Sequence, residues 1–195
     1  MSAQVWDAQA RTMRDAMWAA WAEPNDAVAE HIEAFDIVFD SGDIVVELGC
    51  GPGRLLRPLA LKHPDVFFIG LDISSEMLKW AGSNCLGLTN VDLRLCLEKE
   101  ALPVESHSVA TLYSMLVFQH LDDLTKLQYL CDIYGLLNAK GEAVIQFVTH
   151  ADRGPLSHPT TIEEFSSLCQ IAGLSVCRTV DGLGHPDWAW AWVRA

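Results

Sequence analysis

Residues 47–53 read Glu-Leu-Gly-Cys-Gly-Pro-Gly, directly after one short apolar run and directly before a helical stretch. Glycines at 49, 51 and 53 allow the backbone to turn sharply and to approach a ligand closely, while the start of the next helix presents unpaired N–H groups. A nucleotide-like cofactor suits such a turn. Nineteen positions beyond Gly53 the second apolar run ends at Leu71-Asp72, close to the spacing at which an acid meets ribose hydroxyls. The Asp72 carboxylate can accept two hydrogen bonds from a vicinal diol. Glu47 follows two valines and precedes the turn, which puts it at the carboxyl edge of a sheet, where ligands gather. His120, in the run Val-Phe-Gln-His-Leu-Asp-Asp, is a candidate base or substrate-orienting group, since a neutral imidazole takes up a proton near pH 7. The alternative is a loop histidine bonded to Asp122 or Asp123.

The elements that must hold these residues follow from periodicity. Trp6, Ala10, Met13, Met17 and Trp21 recur at spacings of four and three, one face of an amphipathic helix. Pro24-Asn25-Asp26 opens a second helix, continued by Val28, Ile32, Phe35 and Phe39 and ended at Ser41-Gly42. Trp18 falls off the first apolar stripe and is a candidate lid residue. Seven strands are then expected, at Ile44–Val46, Val66–Ile69, Val91–Leu97, Val109–Tyr113, Ala143–Val148, Leu174–Val180 and Trp188–Val193. Helical stretches lie between most of them, at Leu55–Lys62, Glu76–Gly82, Leu124–Leu137 and Ile162–Ala172. Alternating strands and helices imply βαβ units and a mainly parallel sheet with helices on both faces. Asp181–Pro186 is too short for a crossover, so the last two strands should form an antiparallel hairpin. The tryptophans at 188, 190 and 192 alternate with alanines and share one strand face.

Composition narrows the partners. With 195 residues, 26 acidic and 13 basic side chains and a formal net charge of −13, the chain fits one domain over 1–195 and repels a phosphate backbone, so no nucleic acid is expected. No apolar run approaches the roughly 20 residues of a membrane span, and no signal-peptide stretch opens the chain; a cytoplasmic, membrane-independent protein is the expectation. The six cysteines show no metal-ligand spacing, and no metal site is expected.

The glycine turn resembles the first motif of the class I S-adenosylmethionine-dependent methyltransferases, in particular their small-molecule branch of broad substrate range. The resemblance implies a Rossmann-like three-layer sandwich over 43–195, with residues 1–42 as an N-terminal helical extension or lid. It implies S-adenosylmethionine as cofactor, S-adenosylhomocysteine as product, and O- or N-methylation of a small-molecule acceptor. In that family's pattern Glu47 anchors the amino-acid end of the cofactor, together with Gly49, Cys50, Gly51 and Gly53. Asp72, in Gly-Leu-Asp-Ile-Ser, is similar to the ribose-binding acid, and Ile73 covers the adenine. Glu98, followed by Lys99, stands where an Asp commonly reads the adenine amino group, and Ser114 and Met115 stand beside the methionine end. Ala110 replaces the acid that commonly opens the fourth strand. A dinucleotide oxidoreductase would use a similar turn but prefers a small residue at the position of Arg54. A module that binds the cofactor or a nucleoside without turnover is the other alternative. The end of strand four, Ser-Met-Leu-Val, differs from the (Asp/Asn)-Pro-Pro-(Tyr/Phe) run of relatives that methylate DNA or protein amides.

Overall fold

The computed structural model describes residues 2–20, 37–97, 100–150 and 157–195. They form two compact units, Ser2–Pro103 and Val104–Ala195. In the first unit, helix α1 (Ala3–Ala20) precedes strand β1 (Ile44–Leu48), α2 (Leu56–Lys62), β2 (Phe67–Asp72), α3 (Ser75–Asn84) and β3 (Val91–Leu95). In the second, β4 (Val109–Ser114) leads to a single 3-10 turn at Phe118–His120. There follow α4 (Asp123–Leu136), β5 (Leu137–Val148), α5 (Ile162–Ile171), β6 (Ser175–Asp181) and β7 (Trp188–Arg194). The strands run β3-β2-β1 in the first unit and β4-β5-β7-β6 in the second, the seven strands of a mainly parallel sheet. The Rossmann-like architecture expected from the alternation of strands and helices is the one observed.

The burial of each strand explains its parallel partner. β1 and β2 are buried along nearly their whole length, as continuous Val, Ile and Leu runs require when both faces are covered. Their register pairs Glu47 with Gly70 and Leu48 with Leu71, so the glycine turn and Asp72 leave the sheet at the same end. β6 and β7 pair antiparallel, as the short Asp181–Pro186 connection demands. The tryptophan face of β7 is contacted from within this hairpin. The Trp190 indole N–H donates to Leu183 O (3.1 Å), and the Arg178 guanidinium lies 4.6 Å from the centre of the Trp192 ring.

Two expectations change. Residues 37–40 carry no helix, so the second N-terminal helix does not extend through Phe39. There Asp43 N donates to Asp40 O and Asp40 N to Asp43 Oδ2, closing a turn over Gly42. Phe39 instead packs edge-on against Phe68 and His63. The rest of that helix, with Pro24, Val28, Ile32 and Phe35, lies outside the described residues, as does Trp21. β5 starts at Leu137, six residues earlier than expected, in direct continuation of α4. Its first part passes so close to β4 that a Cβ on Gly141 would stand 2.6 Å from Val109 O. The register shifts between Val109 and Thr111 at the same place.

Candidate functional site

Three alternating left-handed residues build the turn after β1: Gly49 (φ 79°), Gly51 (φ 51°) and Gly53 (φ 78°). A side chain is strained in that region of backbone space, which accounts for the spacing. The turn is fixed from behind by β2, whose Leu71 carbonyl accepts from both Gly49 N (2.8 Å) and Cys50 N (2.9 Å). From the front it is held by Asp72, whose Oδ2 accepts from Gly51 N at 2.8 Å. Asn84, at the end of α3, donates from Nδ2 to Pro52 O (2.7 Å), and Arg57 donates to the Asn84 carbonyl. Among the described residues nothing lies within 4 Å of where a Cβ on Gly51 would stand, so among them the turn is open at that position.

Asp72 is 9 % exposed, and each of its oxygens accepts from a backbone donor. Gly51 N reaches Oδ2 and Ser74 N reaches Oδ1, each at 2.8 Å. Each oxygen keeps lone-pair capacity for a further donor, the requirement for clasping a vicinal diol. Burial pushes the Asp72 carboxyl above its ordinary range, with the N–H groups of Ser74, Gly51 and Ile73 working in the opposite direction. Glu47 is 5 % exposed. Its charge favours the cationic form of Arg54, whose affinity for its proton burial lowers. Cys50, between the two acids, has a thiol raised well above its usual range, first by burial and then by the charges of Asp72 and Glu47. The first unit thus brings Glu47, Gly49, Cys50, Gly51, Gly53, Asp72 and Ile73 together. Glu98 and Lys99 lie outside the described residues.

The second unit carries the residues after β4. Ser114 is buried at the strand end, and Met115 is half-buried just beyond it. Leu116 takes a left-handed conformation (φ 62°), and its N–H donates to the side-chain oxygen of Gln146 on β5 (2.7 Å). His120 closes the 3-10 turn, with its Nε2 3.0 Å from Gln119 Nε2. Asp122 caps α4 through Thr125 N, and Asp123 pairs with Lys126.

Four residues that position these groups were not singled out in the sequence. Gly70 faces Glu47 across the sheet, and a Cβ there would stand 2.8 Å from Leu56, 2.9 Å from Leu93 and 3.0 Å from Cys50 Sγ. A glycine inside an otherwise apolar strand signals such a close approach. Asn84 carries no comparable signal, and neither does Gln146. Lys126 is fully buried on α4 and donates to Asp123 Oδ1 (3.1 Å), to His158 O (3.0 Å) and to Thr160 Oγ1. His158 N in turn donates to Gln119 O (2.8 Å). Among the described residues no helix is long and apolar enough to cross a membrane, and no group of three or more metal-binding side chains occurs.

Residues 45–141 match the family model of a methyltransferase domain. A trans-aconitate 2-methyltransferase of Mycobacterium tuberculosis is 46 % identical over 50 residues, 26 % of this chain and 19 % of that protein. A malonyl-[acyl-carrier protein] O-methyltransferase of Marinomonas is 25 % identical over 138 residues, 71 % of this chain and 50 % of that protein. The chain therefore spans half or less of the length of these curated relatives. Among solved structures, the TehB-like S-adenosylmethionine-dependent methyltransferase of Corynebacterium glutamicum superposes with a TM-score of 0.73 at 17 % identity, over 98 % of each chain.

Proposed function

We propose that this chain, a member of the class I S-adenosylmethionine-dependent methyltransferases, transfers a methyl group to oxygen or nitrogen of a small-molecule acceptor. The observation that carries the reading is Asp72. A buried carboxylate with one backbone N–H on each oxygen, beside an open cradle of left-handed glycines, matches the ribose of an adenosyl cofactor. Glu47 supplies a second negative group for the cationic, amino-acid end, with Gly49, Cys50, Gly51 and Gly53 as the surrounding turn. Ile73 covers the adenine, Glu98 and Lys99 read its edge, and Ser114 and Met115 line the methionine end. Arg54 occupies the position where a dinucleotide-binding turn prefers a small side chain.

The bound cofactor supplies an electrophilic methyl on a sulfonium and leaves as S-adenosylhomocysteine. The protein's part is to fix acceptor and methyl in line, an orientation worth roughly 7–11 kcal/mol in well-aligned reactions. His120 takes the proton that an acceptor hydroxyl or ammonium must lose. To act, its Nε2 must exchange Gln119 for the acceptor. His120→Gln is expected to lower kcat about 100-fold or more with the affinity for S-adenosylhomocysteine unchanged; full turnover by this variant removes the base role. The name of one curated relative, trans-aconitate 2-methyltransferase, supports a small acidic acceptor.

The test is thermal denaturation with S-adenosylmethionine, S-adenosylhomocysteine, NAD and NADP, on the protein and on Asp72→Ala. At 100 times its Kd a ligand adds about 2.7 kcal/mol of stability. Stabilisation by the adenosyl compounds alone, lost in Asp72→Ala, is the expected result. Stabilisation by a nicotinamide dinucleotide alone overturns it. Binding without transfer to any acceptor of a broad panel would leave a non-catalytic holder of the cofactor. Because Asp72 titrates above the ordinary carboxylate range, the affinity should decline on acidification earlier than an exposed aspartate would dictate.

A further inference from the structure

The loop that carries Asp72 is held at Ser74 by a residue 67 positions earlier in the sequence. Asp7, on α1, accepts from Ser74 Oγ at 2.6 Å and from Glu76 N at 3.3 Å. Ser74 is completely buried and caps α3: its Oγ accepts from Met77 N (3.2 Å), and its own N–H is the donor that holds Asp72 Oδ1. A serine hydroxyl has a single proton. With Oγ receiving the Met77 N–H, that proton goes to Asp7, and the carboxylate fixes the rotamer of the cap. Two of the orphan N–H groups at the start of α3 are thereby satisfied, one by Ser74 and one by Asp7 from another helix. The bond to Ser74 is the main reason the Asp7 carboxyl titrates below its usual value.

We propose that Asp7 is a positioning residue for the cofactor-binding carboxylate Asp72, so that docking of α1 on α3 and cofactor binding are coupled through Ser74. This rests on the reading of Asp72 as the ribose ligand. The coupling is reciprocal by necessity: whatever factor α1 docking adds to cofactor affinity, the cofactor adds to α1 docking. Asp7 acts by fixing the first turn of α3, and with it the amide that aligns one oxygen of Asp72. The charge of Asp7 opposes ionisation of Asp72, so its contribution comes from the hydrogen bonds rather than from electrostatic attraction.

The experiment is isothermal titration with S-adenosylhomocysteine on the full chain, the variants Asp7→Ala, Asp7→Asn, Ser74→Ala and the double variant Asp7→Ala/Ser74→Ala, alongside amide hydrogen exchange. Asp7→Ala is expected to weaken binding about tenfold, within the range of typical couplings. Asp7→Asn, which keeps the acceptor oxygen, should recover most of the loss. Ser74→Ala should match Asp7→Ala, and the double variant should lose little more. In the unsubstituted protein, saturation should slow exchange in residues 3–11, and in Asp7→Ala it should not. A purely structural role would lower the melting temperature of Asp7→Ala and leave the Kd of the folded protein unchanged; that result, or unaltered exchange in α1, overturns the proposal. If Asp7→Ala does not fold, Asp7→Asn and Ser74→Ala carry the same comparison. Absence of binding by the unsubstituted protein overturns the cofactor reading, and the coupling with it.

Discussion

The turn after β1 and the segment after β4 solve the same problem, holding a loop at a strand end, by opposite means. After β1 the work is done largely by main chain: three left-handed glycines, two N–H groups on one carbonyl, and a carboxylate that accepts from Gly51 and Ser74. After β4 it is done by side chains reaching from distant elements. Gln146 is completely buried and satisfies the N–H of left-handed Leu116, 30 residues away, and buried Lys126 ties α4 to Thr160, 34 residues away. A main-chain cradle tolerates few residue types and leaves a readable pattern. A side-chain tie can be made by any polar residue of the right reach, and leaves almost none.

Three substitutions bear on that contrast. Lys126→Met is expected to be the most damaging. It fills the same space but leaves the His158 carbonyl and the Thr160 hydroxyl without their donor, and each such group left unsatisfied costs about 1–3 kcal/mol. Urea denaturation of the folded chain reads it directly, and a loss under 1 kcal/mol would show that the segment is held by something else. Gly70→Ala comes next, at about 1–3 kcal/mol for overpacking, because its methyl must displace Leu56, Leu93 or Cys50. It should also weaken S-adenosylhomocysteine binding, since Cys50 belongs to the turn. Gln146→Leu should cost about 1–2 kcal/mol for the unsatisfied Leu116 N–H. Its effect should fall on turnover while the cofactor Kd stays unchanged. If Gln146→Leu alters the cofactor Kd as strongly as Gly70→Ala does, the division of labour between the two regions is wrong.

The same contrast explains what the sequence makes legible. All seven strands are visible as short apolar runs, and the helices that follow β1, β2, β4 and β5 as helical stretches between them. Strand β5 looks too short in sequence because Asn138-Ala139-Lys140-Gly141 has the composition of a turn. The chain nevertheless pairs with β4 from Leu137 on, through a bare glycine at the point of closest approach. The helix expected through Phe39 fails for a local reason, since Asp40, Gly42 and Asp43 close a turn of their own. Within the candidate site, the glycines and Asp72 announce themselves by spacing, whereas the role of Asp7 depends on how α1 docks, which no local pattern encodes.

The thiol of Cys50 gives the glycine turn one more property. A cysteine reacts as its thiolate, and a thiolate in this position would be the strongest nucleophile of the loop. Burial and the charges of Asp72 and Glu47 keep it protonated, with its S–H directed toward Gly51 O at 3.7 Å. The two acids beside the turn thus add to burial in keeping this thiol an inert neutral group.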